Sequence, residues 1–260
     1  MNAPRRAHIR RSPFRGLVGG LASLSQGALA EAIGTFALVF VGAGAIVVGA
    51  TVFATGGFTH ADLLAIAFAH GLTIFVMVAA LGHISGGQFN PAVSLGLLVA
   101  KKIDGRTFGT FVLAQLVGAT VGALGVYYLV AGGMHGWGAA GIDATTLGLP
   151  SVQRGSAVAA AGIEAVLTFF LALVVLGVID ARNQSRLGGL AIGMTVALDI
   201  LVGGPITGAA MNPARWFGPA LVEVEWTNAW VYVVGPLAGG ALAGAVYGFV
   251  LGKEPSAAGR

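Results

Sequence analysis

Six long apolar stretches set the first limit on what this chain can fold into. They lie near residues 28–51, 61–81, 107–130, 157–180, 188–204 and 228–251, and a helix needs about 20 apolar residues to cross the hydrocarbon core of a bilayer. Only 9% of the 260 residues are charged, whereas about 25% is usual in soluble domains. The sequence therefore predicts an all-α membrane protein with six transmembrane helices.

The Lys and Arg residues indicate how these spans are oriented. Twelve of the 14 would lie on the same side as the amino terminus, and only Arg154 and Arg215 on the other. Because loops rich in Lys and Arg stay in the cytoplasm, both termini are predicted to be cytoplasmic. The basic start of the chain could also pass for a signal peptide, but it lacks a sustained leucine-rich core.

Two further apolar stretches, near 90–101 and 212–222, are too short to span. As helices they would be about 15 Å long, half of the hydrocarbon core, and they follow spans on opposite sides of the membrane. The two halves of the chain also resemble each other in sequence. Glu31 corresponds to Glu164 at an offset of 133 residues, and Asn90 corresponds to Asn212 at an offset of 122 residues. Three spans per copy is an odd number, so the second copy must be inverted.

Each short helix is predicted to begin with Asn-Pro-Ala, at Asn90, Pro91 and Ala92 and at Asn212, Pro213 and Ala214. Asn is a favoured N-cap, and Pro suits the first helical turn. Two such ends meeting at the midplane need a wet cavity, into which they point their positive dipole ends. A water molecule held there through its oxygen by two Asn donors turns its hydrogens away on both sides. The pattern therefore predicts water passage without proton relay, and repulsion of cations.

At these residues the chain resembles the aquaporin, or major intrinsic protein, family. Residues 82–93, GHISGGQFNPAV, and 211–215, MNPAR, look like its two signature loops, and the resemblance runs from about Leu29 to Gly252. It implies an aquaporin-like inverted 3+3 repeat with two half-spanning re-entrant helices, and a homotetramer with one pore in each subunit. On this basis residues 1–27 form a basic cytoplasmic tail, 28–252 a single channel domain and 253–260 a short cytoplasmic tail. Repeat one covers about 28–130 and repeat two about 157–252.

The resemblance also implies a selectivity filter, formed in this chain by His70, Ile200, Ala209 and Arg215. This set is similar to that of certain plant tonoplast intrinsic proteins, and it implies that ammonia and hydrogen peroxide pass as well as water. Trp216 and Ala220 stand where glycerol facilitators typically carry Asp and Arg, which argues against polyols. The alternative for His70 is a structural role, in which its side chain only forms hydrogen bonds between helices.

Two carboxylates lie inside predicted spans, where a charge needs partners. The resemblance implies that Glu31 and Glu164 are structural and hold carbonyl groups of the loops; a proton relay is the alternative. Asp199 is interpreted as a buried packing or loop-tethering group, with a pore role as the alternative. His135 is interpreted as a solvated loop residue, with a place beside the filter as the alternative.

Glycines four residues apart, Gly118 with Gly122 and Gly235 with Gly239, have the spacing of close helix crossings. The sequence therefore predicts that these glycines serve helix packing.

The chain has no Cys, no catalytic grouping, no metal-ligand spacing and no nucleotide-binding loop. It is therefore predicted not to be an enzyme, and to use no cofactor, no metal and no nucleic acid. The predicted function is a passive channel for water and small uncharged solutes in a lipid bilayer, expected to be a bacterial inner membrane. Two alternatives are a glycerol or urea facilitator and, from a different class, an ion-coupled secondary transporter.

Overall fold

The computed structural model describes residues 21–52, 59–130, 147–183 and 185–252. Within these ranges the chain is helical, without a strand, and six helices are long and apolar enough to cross a membrane. The first span joins Leu21–Ala37 to Gly44–Val52 through a π-helical turn, Leu38–Ala43. The other five are His60–Ser85, Gly105–Gly125 continued by Val126–Val130, Ala157–Val178, Gly188–Thr207, and Ala229–Val246 continued by Tyr247–Leu251.

The six predicted spans are confirmed, with ends that differ from the expected ones by a few residues. The largest extension is at the first span, whose helix begins at Leu21 rather than near residue 28, and the second span continues to Ser85 rather than ending near residue 81. Two short helices, Pro91–Val99 and Pro213–Glu223, follow the second and fifth spans. The described residues do not include His135, the C-terminal tail or most of the basic N-terminal tail.

Several helices begin at a side chain that satisfies their first free N–H groups. At the second span the Thr59 hydroxyl accepts from the Asp62 N–H (3.2 Å), while the Asp62 carboxylate accepts from the Thr59 N–H (2.8 Å). Asp104 and Ser156 cap the third and fourth spans in the simpler way. These caps explain why the spans begin where short polar residues interrupt the apolar sequence.

The first span packs on the third and the fourth packs on the sixth, in each case through glycine. A Cβ atom at Gly118 would overlap the carbonyl oxygen of Ala32, and one at Gly239 would overlap that of Ala165. Such close approach is what small residues permit between membrane helices. The predicted packing role of these glycines is confirmed, and the two contacts are related by the internal repeat.

Close packing at glycine also holds each short helix against the opposite half of the chain. Gly240 of the sixth span lies against the carbonyl of Ala92, and Gly218 of the second short helix lies against the carbonyl of Ala119 in the third span. Each half therefore supports the short helix of the other half, which brings the two helix starts together at the centre of the bundle.

The end of the fourth span is tied to the end of the sixth by a polar cluster. The Arg182 side chain donates to the Asp180 carboxylate (2.6 and 2.9 Å) and to the Leu251 carbonyl (2.9 Å), and the Tyr247 hydroxyl also donates to Asp180 (2.7 Å). The hydrogen bonds from Arg182 hold the pKa of the Asp180 carboxyl well below its usual range.

Candidate functional site

The loops before the two short helices follow the same backbone path. Three residues in each have positive φ, at positions 122 apart: Gly86, Gly87 and Phe89 in the first loop, and Gly208, Ala209 and Met211 in the second. Ala209 takes this conformation (φ 44°) where the first loop has Gly87. A non-glycine residue adopts it only when surrounding contacts fix it, so the loops need strong anchors.

Glu31 anchors the first loop. It is fully buried, and its carboxylate accepts four hydrogen bonds, from the Ser85 hydroxyl (2.6 Å), the Gln88 N–H (3.0 Å), the Phe89 N–H (2.6 Å) and the Gln115 amide (2.8 Å). A buried charge is tolerable when it is saturated with donors in this way.

Glu164 anchors the second loop through positions that match. It accepts from the Thr207 hydroxyl (2.7 Å) and from the N–H groups of Ala210 (3.0 Å) and Met211 (2.7 Å). The expectation that Glu31 and Glu164 hold loop carbonyls is wrong, because a carboxylate can only accept and its partners here are N–H and O–H donors.

Behind these anchors the two halves differ. In the first half, the Gln115 amide also donates to the Ser94 hydroxyl (3.0 Å). In the second half, Tyr232 donates from its hydroxyl to the Thr207 carbonyl (2.9 Å) and stacks on Trp216 at 5.5 Å between ring centroids. Of these four residues only Trp216 was singled out from the sequence, and not for this role; Ser94 and Trp216 stand 122 positions apart, at matching places in the repeat.

The side-chain oxygens of Asn90 and Asn212 cap the short helices. Asn90 accepts from the N–H groups of Ala92 (2.8 Å) and Val93 (3.5 Å). Asn212 accepts from those of Ala214 (3.0 Å) and Arg215 (3.2 Å). The prolines occupy the first helical position in both, as expected for a helix start.

The side-chain nitrogens of the same two residues cross between the halves. Asn90 Nδ2 donates to the Met211 carbonyl, and Asn212 Nδ2 donates to the Phe89 carbonyl, both at 2.8 Å. Each NH2 group carries two hydrogens, so each Asn keeps one donor beyond its crossed bond.

Two cavities meet beside this pair. A narrow cavity of about 30 Å³ is lined by both asparagines, and a wide cavity of about 690 Å³ opens beyond it. Three residues line both cavities: His70, Ile200 and Arg215. Ala209 lines only the narrow one. Three of the four residues predicted for the filter thus lie where the two cavities adjoin, and the fourth, Ala209, lines the narrow cavity.

His70 and Arg215 are in direct contact where the two cavities adjoin, and both are buried. His70 Nδ1 lies 2.9 Å from the Ile66 carbonyl, so that nitrogen carries the hydrogen. Its other nitrogen, Nε2, then accepts from Arg215 Nε at 3.3 Å. A Cβ at Gly42 would lie 2.5 Å from His70 Nε2, so glycine in the π-helical turn makes room for the ring.

Asp199, beside Ile200, is buried, and its Oδ2 has no hydrogen-bond partner among the described residues. It lines neither the narrow nor the wide cavity. Its tethering and pore interpretations both remain predictions. No group of three or more His, Asp or Glu residues able to hold a metal occurs in the part of the chain that the structure covers.

Comparisons with known proteins agree with this geometry. Residues 21–247 match the sequence model of the major intrinsic protein family. Aquaporin NIP1-1 of Zea mays is 43% identical over 221 residues, which cover 85% of this chain and 72% of that protein. Aquaporin TIP4-4 of Zea mays is 42% identical over 224 residues, 84% of each chain. The X-ray structure of the aquaglyceroporin from Plasmodium falciparum superposes with a TM-score of 0.75 at 27% identity, covering 88% of this chain and 97% of that one.

Proposed function

Because this chain belongs to the major intrinsic protein family, and is therefore an integral membrane channel rather than an enzyme, we propose that it passes water, ammonia and hydrogen peroxide while excluding protons and ions. The observation that carries the proposal is the pair of crossed asparagines beside the narrow cavity. Water and small uncharged solutes move through such a pore passively, down their own gradients.

The free donors of Asn90 and Asn212 would exclude protons. Each asparagine has one N–H left after its crossed bond, and both line the same narrow cavity. A water molecule that accepts from both directs its hydrogens away from the pair, so it cannot accept a proton from one neighbour and pass it to the next. The helix starts behind the pair add positive potential, which opposes cations.

Arg215 would be the main donor of the selectivity filter. Its Nη1 has no hydrogen-bond partner among the described residues, while both nitrogens of His70 are already used. A fixed positive charge opposes cations, and the guanidinium N–H groups replace part of the hydration of a neutral molecule. Ile200 and Ala209 would make the remaining wall apolar and set its width.

The same proposal includes orientation and assembly. With both termini in the cytoplasm, as the Lys and Arg count supports, the wide cavity faces outward and carries Arg154 at its rim. A homotetramer is proposed from the family resemblance, as is the division into tails and one channel domain of two repeats. The bacterial inner membrane gains no support from the relatives, which are maize proteins, and it stays a prediction.

Stopped-flow measurements on proteoliposomes test the proposed solutes. Osmotic shrinkage reports water, reswelling reports glycerol and urea, and an internal pH dye reports ammonia. We expect water and ammonia permeabilities well above those of protein-free liposomes, without a sodium or proton gradient. Water flux at the lipid background together with rapid glycerol entry would favour the glycerol or urea facilitator. Strict dependence on an ion gradient would favour the ion-coupled transporter.

A further inference from the structure

The polar side chains along the narrow cavity offer donors to a passing molecule almost without exception. Arg215 can only donate. The side-chain oxygens of Asn90 and Asn212 are occupied by the short-helix N–H groups, and His70 has both nitrogens engaged. Most of the other side chains around this cavity are aliphatic. Among the side chains of this cavity, a molecule with hydrogens to donate therefore meets few acceptors.

Gln88 carries such an acceptor. It lines the narrow cavity and is buried, with 6% of its surface exposed. Its Nε2 faces the Ser85 carbonyl at 3.5 Å, and since a carbonyl can only accept, the amide nitrogen belongs on that side. Its Oε1 has no hydrogen-bond partner among the described residues. A buried oxygen without a partner is costly, so a partner from outside the protein is expected.

We propose that Gln88 Oε1 accepts a hydrogen bond from the permeating molecule on the cytoplasmic side of the asparagine pair, and so helps to select solutes with O–H or N–H groups. This inference rests on the proposed function. Gln88 lies between Ser85, where the second span ends, and Asn90 at the pore centre. A water molecule held at the pair points one hydrogen this way, and the molecule next to it also has hydrogens to place.

The second half of the repeat has no side-chain acceptor that corresponds to Gln88. The residue 122 positions after Gln88 is Ala210, which also lines the narrow cavity but has only a methyl side chain. Among its side chains, the pore therefore combines a donor, Arg215, on one side of the asparagine pair with an acceptor, Gln88, on the other. Water and ammonia fit this order because each has a lone pair and hydrogens.

Three variants test the assignment in proteoliposomes at pH 8. Gln88→Met keeps the length of the side chain but removes the acceptor, and Gln88→His restores an acceptor nitrogen. Leu176→Met is the control, since it exchanges a buried side chain of similar volume that does not line the narrow cavity. We expect Gln88→Met to lower water and ammonia permeability by about fivefold, the worth of one hydrogen bond, and to raise the activation energy of water flow.

Gln88→His should recover part of the permeability that Gln88→Met loses, and Leu176→Met should stay near the wild type. Equal permeability in Gln88→Met and wild type, or an equal fall in Gln88→Met and Gln88→His, would overturn the assignment. If Gln88→Met fails to fold, Gln88→Leu replaces it as the variant without an acceptor. A wild-type protein that conducts no water would instead contradict the proposed function, so the two failures are distinguishable.

Discussion

Replacing Glu31 should cost stability in proportion to the loop N–H groups that lose their acceptor. In Glu31→Gln one carboxylate oxygen becomes an NH2 group, which cannot accept. Placed toward Ser85, whose hydroxyl can turn and accept, it still leaves the Gln88 N–H without a partner. Placed toward Phe89, it faces both that N–H and the Gln115 amide. The least damaging arrangement therefore leaves one buried N–H unsatisfied.

Glu31→Ala leaves two loop N–H groups without an acceptor, those of Gln88 and Phe89, while the Gln115 amide nitrogen keeps its bond to Ser94. Each unsatisfied buried N–H costs about 1–3 kcal/mol, so we expect losses of about 2 kcal/mol for Gln and about 4 kcal/mol for Ala. For a chain of this size 1 kcal/mol lowers the melting midpoint by about 2–4 °C, which gives falls of about 6 and 12 °C.

Thermal unfolding of the detergent-solubilised protein, followed by tryptophan fluorescence, measures these shifts. Glu225→Gln is the matched control, because Glu225 is exposed and its carboxylate bonds to its sequence neighbours, Thr227 among them, and it should melt with the wild type. If Glu31→Gln also melted with the wild type, or if Gln and Ala lowered the midpoint equally, counting unsatisfied N–H groups would be the wrong explanation.

Three further predictions follow from other parts of the molecule. Arg215→Val should raise urea or ammonia permeability and retain water flow, because it widens the passage and removes its charge; unchanged stopped-flow selectivity would contradict the filter assignment. Gly239→Ala should prevent the fourth and sixth spans from packing into a stable protein, as judged by size-exclusion chromatography, because its methyl group would overlap a carbonyl of the fourth span. A methyl group at Gly162 would meet nothing within 4 Å, so Gly162→Ala should fold normally. Asp180 has a lowered pKa, so its bonds with Arg182 should stabilise the protein fully above the ordinary carboxyl range, less and less as the pH falls below that range, and not at all below the lowered value. Melting curves from pH 8 to pH 3 should therefore show a smaller acid fall for Asp180→Asn; an unaltered acid fall would count against this.

Much of the fold was predictable because the bilayer restricts it. Span length and the paired Asn-Pro-Ala sequences each depend on local composition or on one repeat, and they predicted the helices correctly. The role of Glu31 needed contacts 54 to 84 residues away, which no local pattern contains. The repeat could have supplied part of it, since Ser85 and Thr207, like Gln88 and Ala210, stand 122 positions apart.

Gln88 shows a second reason why the sequence alone could not predict the whole site. Its position inside the first signature loop is evident from the sequence alone. Which of its amide atoms lacks a partner depends on the Ser85 carbonyl and on the side chains around the narrow cavity. A free lone pair is a property of the assembled site, so it emerges only from the structure.

The crossed asparagine bonds have a consequence for biogenesis. They join atoms 121 and 123 residues apart in the chain, so the tip of the first short helix cannot be completed while its partner is still unsynthesised. At about 5–20 residues per second, a ribosome needs roughly ten seconds to make that length. During this interval the nascent first half should remain accessible to water or to an insertion factor. Docking of the second short helix should then complete the hydrogen bonds at the centre of the bundle.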